Sequence, residues 1–164
     1  MTGEIAPVPA DRAALTVSIV VPDAVATIAF YIAVFDAVED FRLVEPSGKV
    51  GHAELLIGGT RLMVSDPYPE HGAPVPKGGP PSMRLHLYVP DVDATIERAL
   101  AAGGVLRQPV QDQFYGDRSG TISDIAGHAW NIASRRENVA PEEMQRRWDA
   151  MMQGVADAAV VAST

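Results

Sequence analysis

A chain of 164 residues, 47% of them hydrophobic, has the material for one compact domain around a single core. Thirteen Lys and Arg against 21 Asp and Glu leave a net charge of −8, which argues against a surface that tracks nucleic-acid phosphates. There is no cysteine, so disulfides, thiolate nucleophiles and Cys-ligated zinc or iron–sulfur centres are excluded. The opening residues, MTGEIAPVPADRAALTV, place acidic residues and prolines ahead of any apolar run, and no apolar 18-mer follows, so a cytoplasmic protein with no membrane partner is expected.

The first ordered pattern is LTVSIVVPDAVATI. Residues 16 to 21 alternate and carry β-branched side chains, which predicts a strand; Pro22-Asp23 stops it, and Val25, Ile28, Tyr31 or Ile32, and Phe35 then recur at helical spacing with Asp23 or a neighbour as cap. Extended segments follow at 38–44, 52–57 and 61–65, the last two joined by Gly58-Gly59, a pair suited to a hairpin turn because both positions accept positive φ. The run from Asp66 to Ser82 is too rich in proline and glycine for a central strand and reads as a linker.

The pattern then begins again with MRLHLYVPDVDATI. A strand at 83–89 leads through Pro90-Asp91 into a helix ended by Gly103-Gly104, and strands are predicted at 105–110, 118–125 and 128–133. Pro22 and Pro90 are 68 positions apart, and so are Gly59 and Gly127. The sequence therefore divides into a module at 15–66, a linker at 67–82, a second module at 83–134 and a helix at about 141–153, with Pro141 in its first turn and an apolar stripe of Met144, Trp148 and Met151 or Met152.

Two such modules, the repeated Val-Pro-Asp, the Ala29-Phe30-Tyr31 segment and the closing GDRSGTISDIAGHAWNIASRRENVAPEEM resemble the vicinal oxygen chelate superfamily of glyoxalases, bleomycin-resistance proteins and dioxygenases, with a PhnB-like branch nearest in pattern. The resemblance implies an α+β fold in which paired β-α-β-β-β modules form curved mixed sheets around a cavity, in one domain over residues 1–164. It also implies a homodimer, since the eight-strand arrangement is commonly completed between two chains. In the enzymes of that superfamily a divalent metal sits between the first and fourth strands of each module. The matching positions here are Thr16, Met63, Arg84 and Asn131, and the usual His and Glu donors are missing. Neither a metal nor another cofactor is therefore expected.

Alternation puts Arg84, His86 and Tyr88 on the cavity side of the second module, Thr16 and Ser18 on that of the first, and Leu85, Leu87 and Val89 in the core. Asn131 is expected to face inward and Trp130 to pack on the helix layer. The expected ligand-binding set is Thr16, Ser18, Phe41, Glu54, Met63, Arg84, His86, Tyr88, Phe114 and Asn131, with Tyr115 and Arg118 at the pocket mouth and Glu54 as a partner for Arg84 or His86. The expected ligand is a small aromatic or anionic molecule, and His86 is the single candidate for acid–base catalysis. Two alternatives remain open: a lyase, isomerase or dioxygenase using a relocated His52–Glu54–His86 metal site, and a non-catalytic structural or interaction module.

Overall fold

In the computed structural model, which describes residues 7–9, 13–74 and 82–161 (side chains through Val155 in the last helix), the chain forms two four-stranded mixed sheets and three α-helices. The first sheet is built from β1 (Val17–Val20), β2 (Val38–Val44), β3 (Val50–Ile57) and β4 (Thr60–Ser65), in the order β1-β4-β3-β2. The second repeats that order with β5 (Arg84–Tyr88), β6 (Val105–Asp112), β7 (Asp117–Ser123) and β8 (Ala129–Arg135) as β5-β8-β7-β6. In each, the first strand pairs parallel to the last and the other pairs are antiparallel. The α+β architecture expected from the sequence is thus present. Helix α3 runs from Pro141 to Val161, longer than its periodic stripe predicted. Of the linker, Pro69–His71 forms a 3-10 turn closed by a Tyr68–Ala73 bridge, while residues 75–81 lie outside the described residues.

The repeat reaches atomic detail. Helices α1 (Ala24–Phe35) and α2 (Val92–Ala101) start behind Asp23 and Asp91, both extended, whose carboxylates accept the N–H of Ala26 at 2.9 Å and of Ala94 at 3.0 Å. One turn on, Thr27 and Thr95 each donate a hydroxyl to the carbonyl of that capping aspartate at 2.7 Å. The register of 68 positions holds for the first strands, the helices and the last strands, and Gly59 and Gly127 both stand just before the last strand of their module. It shifts by one at the final hairpins. Gly58-Gly59, with φ of +55° and +78°, is a two-residue turn, whereas Asp124 and His128 close a three-residue turn ending in Gly127 at φ +93°. Glu54, opposite Met63, therefore corresponds to Thr121, opposite Asn131.

The core lies on the convex sides of the sheets. Ile19, Val21, Leu55, Leu62 and Val64 are buried with Ile28 and Val34 of α1, and Leu87, Ile122 and Ile132 with Ile96 and Ala99 of α2. Helix α1 has no charged residue because it is covered twice: by its own sheet and by Trp130 of β8, whose ring lies 5.3 Å from Tyr31 and 4.6 Å from Phe35. Trp130 thus faces the helix layer, as alternation predicted.

One buried carboxylate ties the modules together. Asp124 accepts from the Tyr31 hydroxyl at 2.6 Å, from the Trp130 indole at 2.9 Å, and from the N–H groups of Ala126 and His128, each at 2.9 Å. Burial pushes its carboxyl up, but the hydrogen bonds it receives more than offset this and hold it below the usual aspartate range. Burial, with the Asp124 charge beside it, drives the Tyr31 phenol well above its ordinary value.

Candidate functional site

With the helices on the convex sides, the concave faces of both sheets are open in the single chain: Phe41 is 39% exposed and Tyr88 50%. Each face carries one row of side chains running straight across its four strands. In the first sheet the row is Ser18, Met63, Glu54 and Phe41, four of the residues expected from the sequence. Thr16 precedes β1 by one residue. In the second sheet the equivalent row is His86, Asn131, Thr121 and Gln108.

The centre of the first row is taken up internally. Glu54, 3% exposed, is bound by the Arg61 guanidinium, which also reaches Asp40 at 2.7 Å, and His52 lies 3.3 Å away. The expected partnership of Glu54 with Arg84 or His86 is not formed, because Glu54 belongs to one sheet and those residues to the other. The same separation keeps His52 and Glu54 from His86. Among the described residues, no three His, Asp or Glu side chains converge as a metal site. The four superfamily positions fit a metal poorly on donor chemistry: Thr16 and Asn131 offer single neutral oxygens, Met63 a thioether, and Arg84 a fixed positive charge.

The second concave face holds a cavity of about 290 Å³. Its walls come from Arg84 on β5, Asn131 on β8, Gln108 and Gln111 on β6, and Gln113 and Tyr115 from the β6–β7 turn, with Ser119 beneath. Arg84 is the one charged residue in that lining, and among the described residues it forms no ion pair. Elsewhere on this face charges are matched: buried Asp117 accepts from Arg135 and from the Tyr88 hydroxyl, the latter at 2.6 Å, and Arg135 donates to that same hydroxyl at 3.0 Å. Arg118, expected near the mouth, is paired with Asp93 at 2.8 and 2.9 Å instead.

His86 stands beside the cavity, with its ring 4.7 Å from that of Tyr88 and Nδ1 3.1 Å from the Asn131 amide nitrogen. An amide nitrogen only donates, so Nδ1 accepts and neutral His86 carries its proton on Nε2. Its one basic nitrogen is engaged. Phe114 does not line the cavity; its ring lies tilted against that of Trp148 of α3, 5.4 Å away. The turn that bears it is clamped from outside, where Arg147 donates to the Phe114 carbonyl at 3.1 Å and to both Glu137 oxygens at 2.8 Å. Alternation does not place the three glutamines, because bulges at Leu106/Gln108 and between Gln108 and Gln111 break the pattern that assigns strand faces. The signal present in the sequence was their density, three within six residues.

Two curved sheets in this order, back to back on their helices and with open concave faces, define a protein of the glyoxalase and bleomycin-resistance class. Residues 13–132 match the family described as Glyoxalase/Bleomycin resistance protein/Dioxygenase superfamily, and the chain belongs to it. It is 40% identical over 137 residues to the uncharacterized protein Mb0911c of Mycobacterium bovis, a match covering 80% of this chain and 90% of that one. Among solved structures it is similar to TioX from Micromonospora sp. ML1, at 28% identity and a TM-score of 0.59, over 75% of this chain and 98% of that one. A glyoxalase-related enzyme from Fulvimarina pelagi aligns at 25% identity and a TM-score of 0.61, over 75% and 88% of the two chains. Among the described residues no helix is long and apolar enough to cross a membrane.

Proposed function

We propose that this chain reversibly binds a small anionic molecule on the concave face of its second sheet, without a metal, and that Arg84 is the charge partner. One observation carries this reading: Arg84 lines a cavity of about 290 Å³ whose other polar side chains are amides and hydroxyls, beside Pro109 and Gly120, and whose lining contains no carboxylate. A guanidinium at a cavity wall that forms no ion pair among the described residues favours an anion, and a charge-assisted hydrogen bond to it contributes about 1.5–3 kcal/mol. Of the two ligand characters expected, the polar lining favours the anionic over the aromatic. Asn131 and Arg84 meet at this cavity, and His86 and Tyr88 flank it; Ser18, Phe41, Glu54 and Met63 belong to the first sheet, with Thr16 just before its first strand, and do not line it. A second wall, from the first sheet, is supplied by a second copy of the chain, a reading supported by the open concave faces and the exposed Phe41 and Tyr88.

Calorimetry with a panel of small carboxylates, phosphonates and their uncharged esters tests the reading. Anions are expected to bind, with affinity falling about 10- to 100-fold in Arg84→Ala, the equivalent of one such bond. Equal binding of esters and acids, or an Arg84→Ala variant of unchanged affinity, refutes it. Sedimentation at micromolar concentration should give a dimer; a monomer throughout refutes the two-chain cavity.

A further inference from the structure

The row across the second sheet fixes more than charge. Gln108, Thr121, Asn131 and His86 are neighbours in register on β6, β7, β8 and β5. Thr121 donates its hydroxyl to Gln108 Oε1 at 2.8 Å, which turns that oxygen toward β7 and makes the NH2, with both N–H bonds unspent, the other end of the amide. Asn131 gives one of its two N–H bonds to His86 Nδ1 at 3.1 Å, which turns its nitrogen toward β5 and makes Oδ1, an acceptor, the other end of the amide. Both amides would otherwise be ambiguous, able to turn either end to a ligand. Here each is held by a neighbour that is itself anchored in the sheet, and the two present opposite polarity from strands two spacings apart, about 9.6 Å between backbones.

A planar amide is the group that complements this pair. Its carbonyl accepts on one edge and its N–H donates on the other, each at about 2.9 Å. Arg84 then receives the charge. We infer that the ligand is an acylamino carboxylate or a close analogue, a small anion bearing a secondary amide whose carbonyl meets Gln108 and whose N–H meets Asn131. This rests on the anionic reading of the same cavity, to which it adds the amide. The cavity volume, at the low end for ligand sites, suits a molecule of that size.

Three probes separate the two ideas in the full-length, isotopically labelled protein, read through the side-chain amide resonances of Gln108 and Asn131. These are N-acetylglycine, its uncharged methyl ester, and pentanoate, a carboxylate of similar size without an amide. N-acetylglycine is expected to shift both resonances saturably and to bind about tenfold more tightly than pentanoate, as two added hydrogen bonds predict. The ester should bind more weakly than the acid. Gln108 is exposed on an edge strand, so Gln108→Leu should keep the fold and bring the ratio of N-acetylglycine to pentanoate affinity near one. Equal affinity of the wild type for N-acetylglycine and pentanoate, both weakened in Arg84→Ala, overturns the amide inference and leaves the anion site standing. An ester that binds as tightly as the acid removes the anionic reading. No shift at either resonance with any probe removes both.

Discussion

Asp66 and Ser134, 68 positions apart, receive the same bond: the first helical N–H of their module. Ala24 N donates to Asp66 Oδ1 at 2.8 Å, and Val92 N donates to Ser134 Oγ at 2.9 Å. Each side chain stands just past, or at the end of, the last strand and pins the strand-to-helix corner of its module to the sheet. Asp66 does more, since its second oxygen accepts from Val50 N at 2.7 Å; the Ser134 hydroxyl is instead donated to the Val89 carbonyl at 2.8 Å.

Replacing the two should therefore have unequal effects. Asp66→Ala strands two buried N–H groups and is expected to cost about 2–4 kcal/mol, whereas Ser134→Ala is expected to cost about 1–2 kcal/mol. Urea unfolding of both variants measures the difference, and equal losses would contradict it.

The Tyr31–Asp124 bond makes stability depend on pH at both ends. Asp124 has a lowered folded value, so its contribution is present above the unfolded value of about 3.9 and is lost as pH falls through the lower folded one. Tyr31 has a raised folded value, so its contribution is full below about pH 10 and is lost as pH rises beyond it. Tyr31→Phe should cost about 1.5–3 kcal/mol near neutral pH and flatten the alkaline loss. Asp124→Asn should flatten the acid loss. Denaturation across the pH range checks both signs.

Gly116 holds the β6–β7 turn against the following chain. Its φ is +94°, its carbonyl accepts from the N–H groups of Arg136 and Glu137, both at 2.9 Å, and a methyl group there would meet the Glu137 carbonyl oxygen. Gly116→Ala is expected to cost about 2–4 kcal/mol from backbone strain plus crowding. Because Gln113 and Tyr115 line the cavity, the variant should also weaken anion binding at temperatures where it remains folded. A thermal melt followed by a binding titration below the transition tests this.

Zinc or nickel titrated near neutral pH should find no stoichiometric site at Thr16, Met63, Arg84 and Asn131, since two neutral oxygens and a thioether beside a guanidinium compete poorly with water for such ions. Elemental analysis of protein purified without a metal column gives the same test. One bound ion per chain that is lost in Asn131→Ala would refute it.

Much of this was legible in the chain itself. The repeat, the Asp23 cap, the Gly58-Gly59 hairpin and the inward faces of Arg84, His86 and Asn131 follow from local rules: period-two alternation, helix capping and positive-φ glycines. Those rules act within a few residues, and the repeat supplied the long-range alignment. Alternation places Phe41 on its row but does not place its counterpart on the second row. Applying 68 to Phe41 lands on Pro109; the turn before β8, one residue longer, makes it Gln108, and bulges hide the change from any reading of alternation. The aromatic ring of Phe114 suits a ligand wall by residue type alone, but in the fold it lies against Trp148 of α3. Which amide ends remain for a ligand, and which charge lacks a partner, depend on contacts between strands far apart in sequence. A hydrogen bond such as Thr121 to Gln108 or Asn131 to His86 exists only once four strands stand in register, and that register is a property of the folded sheet.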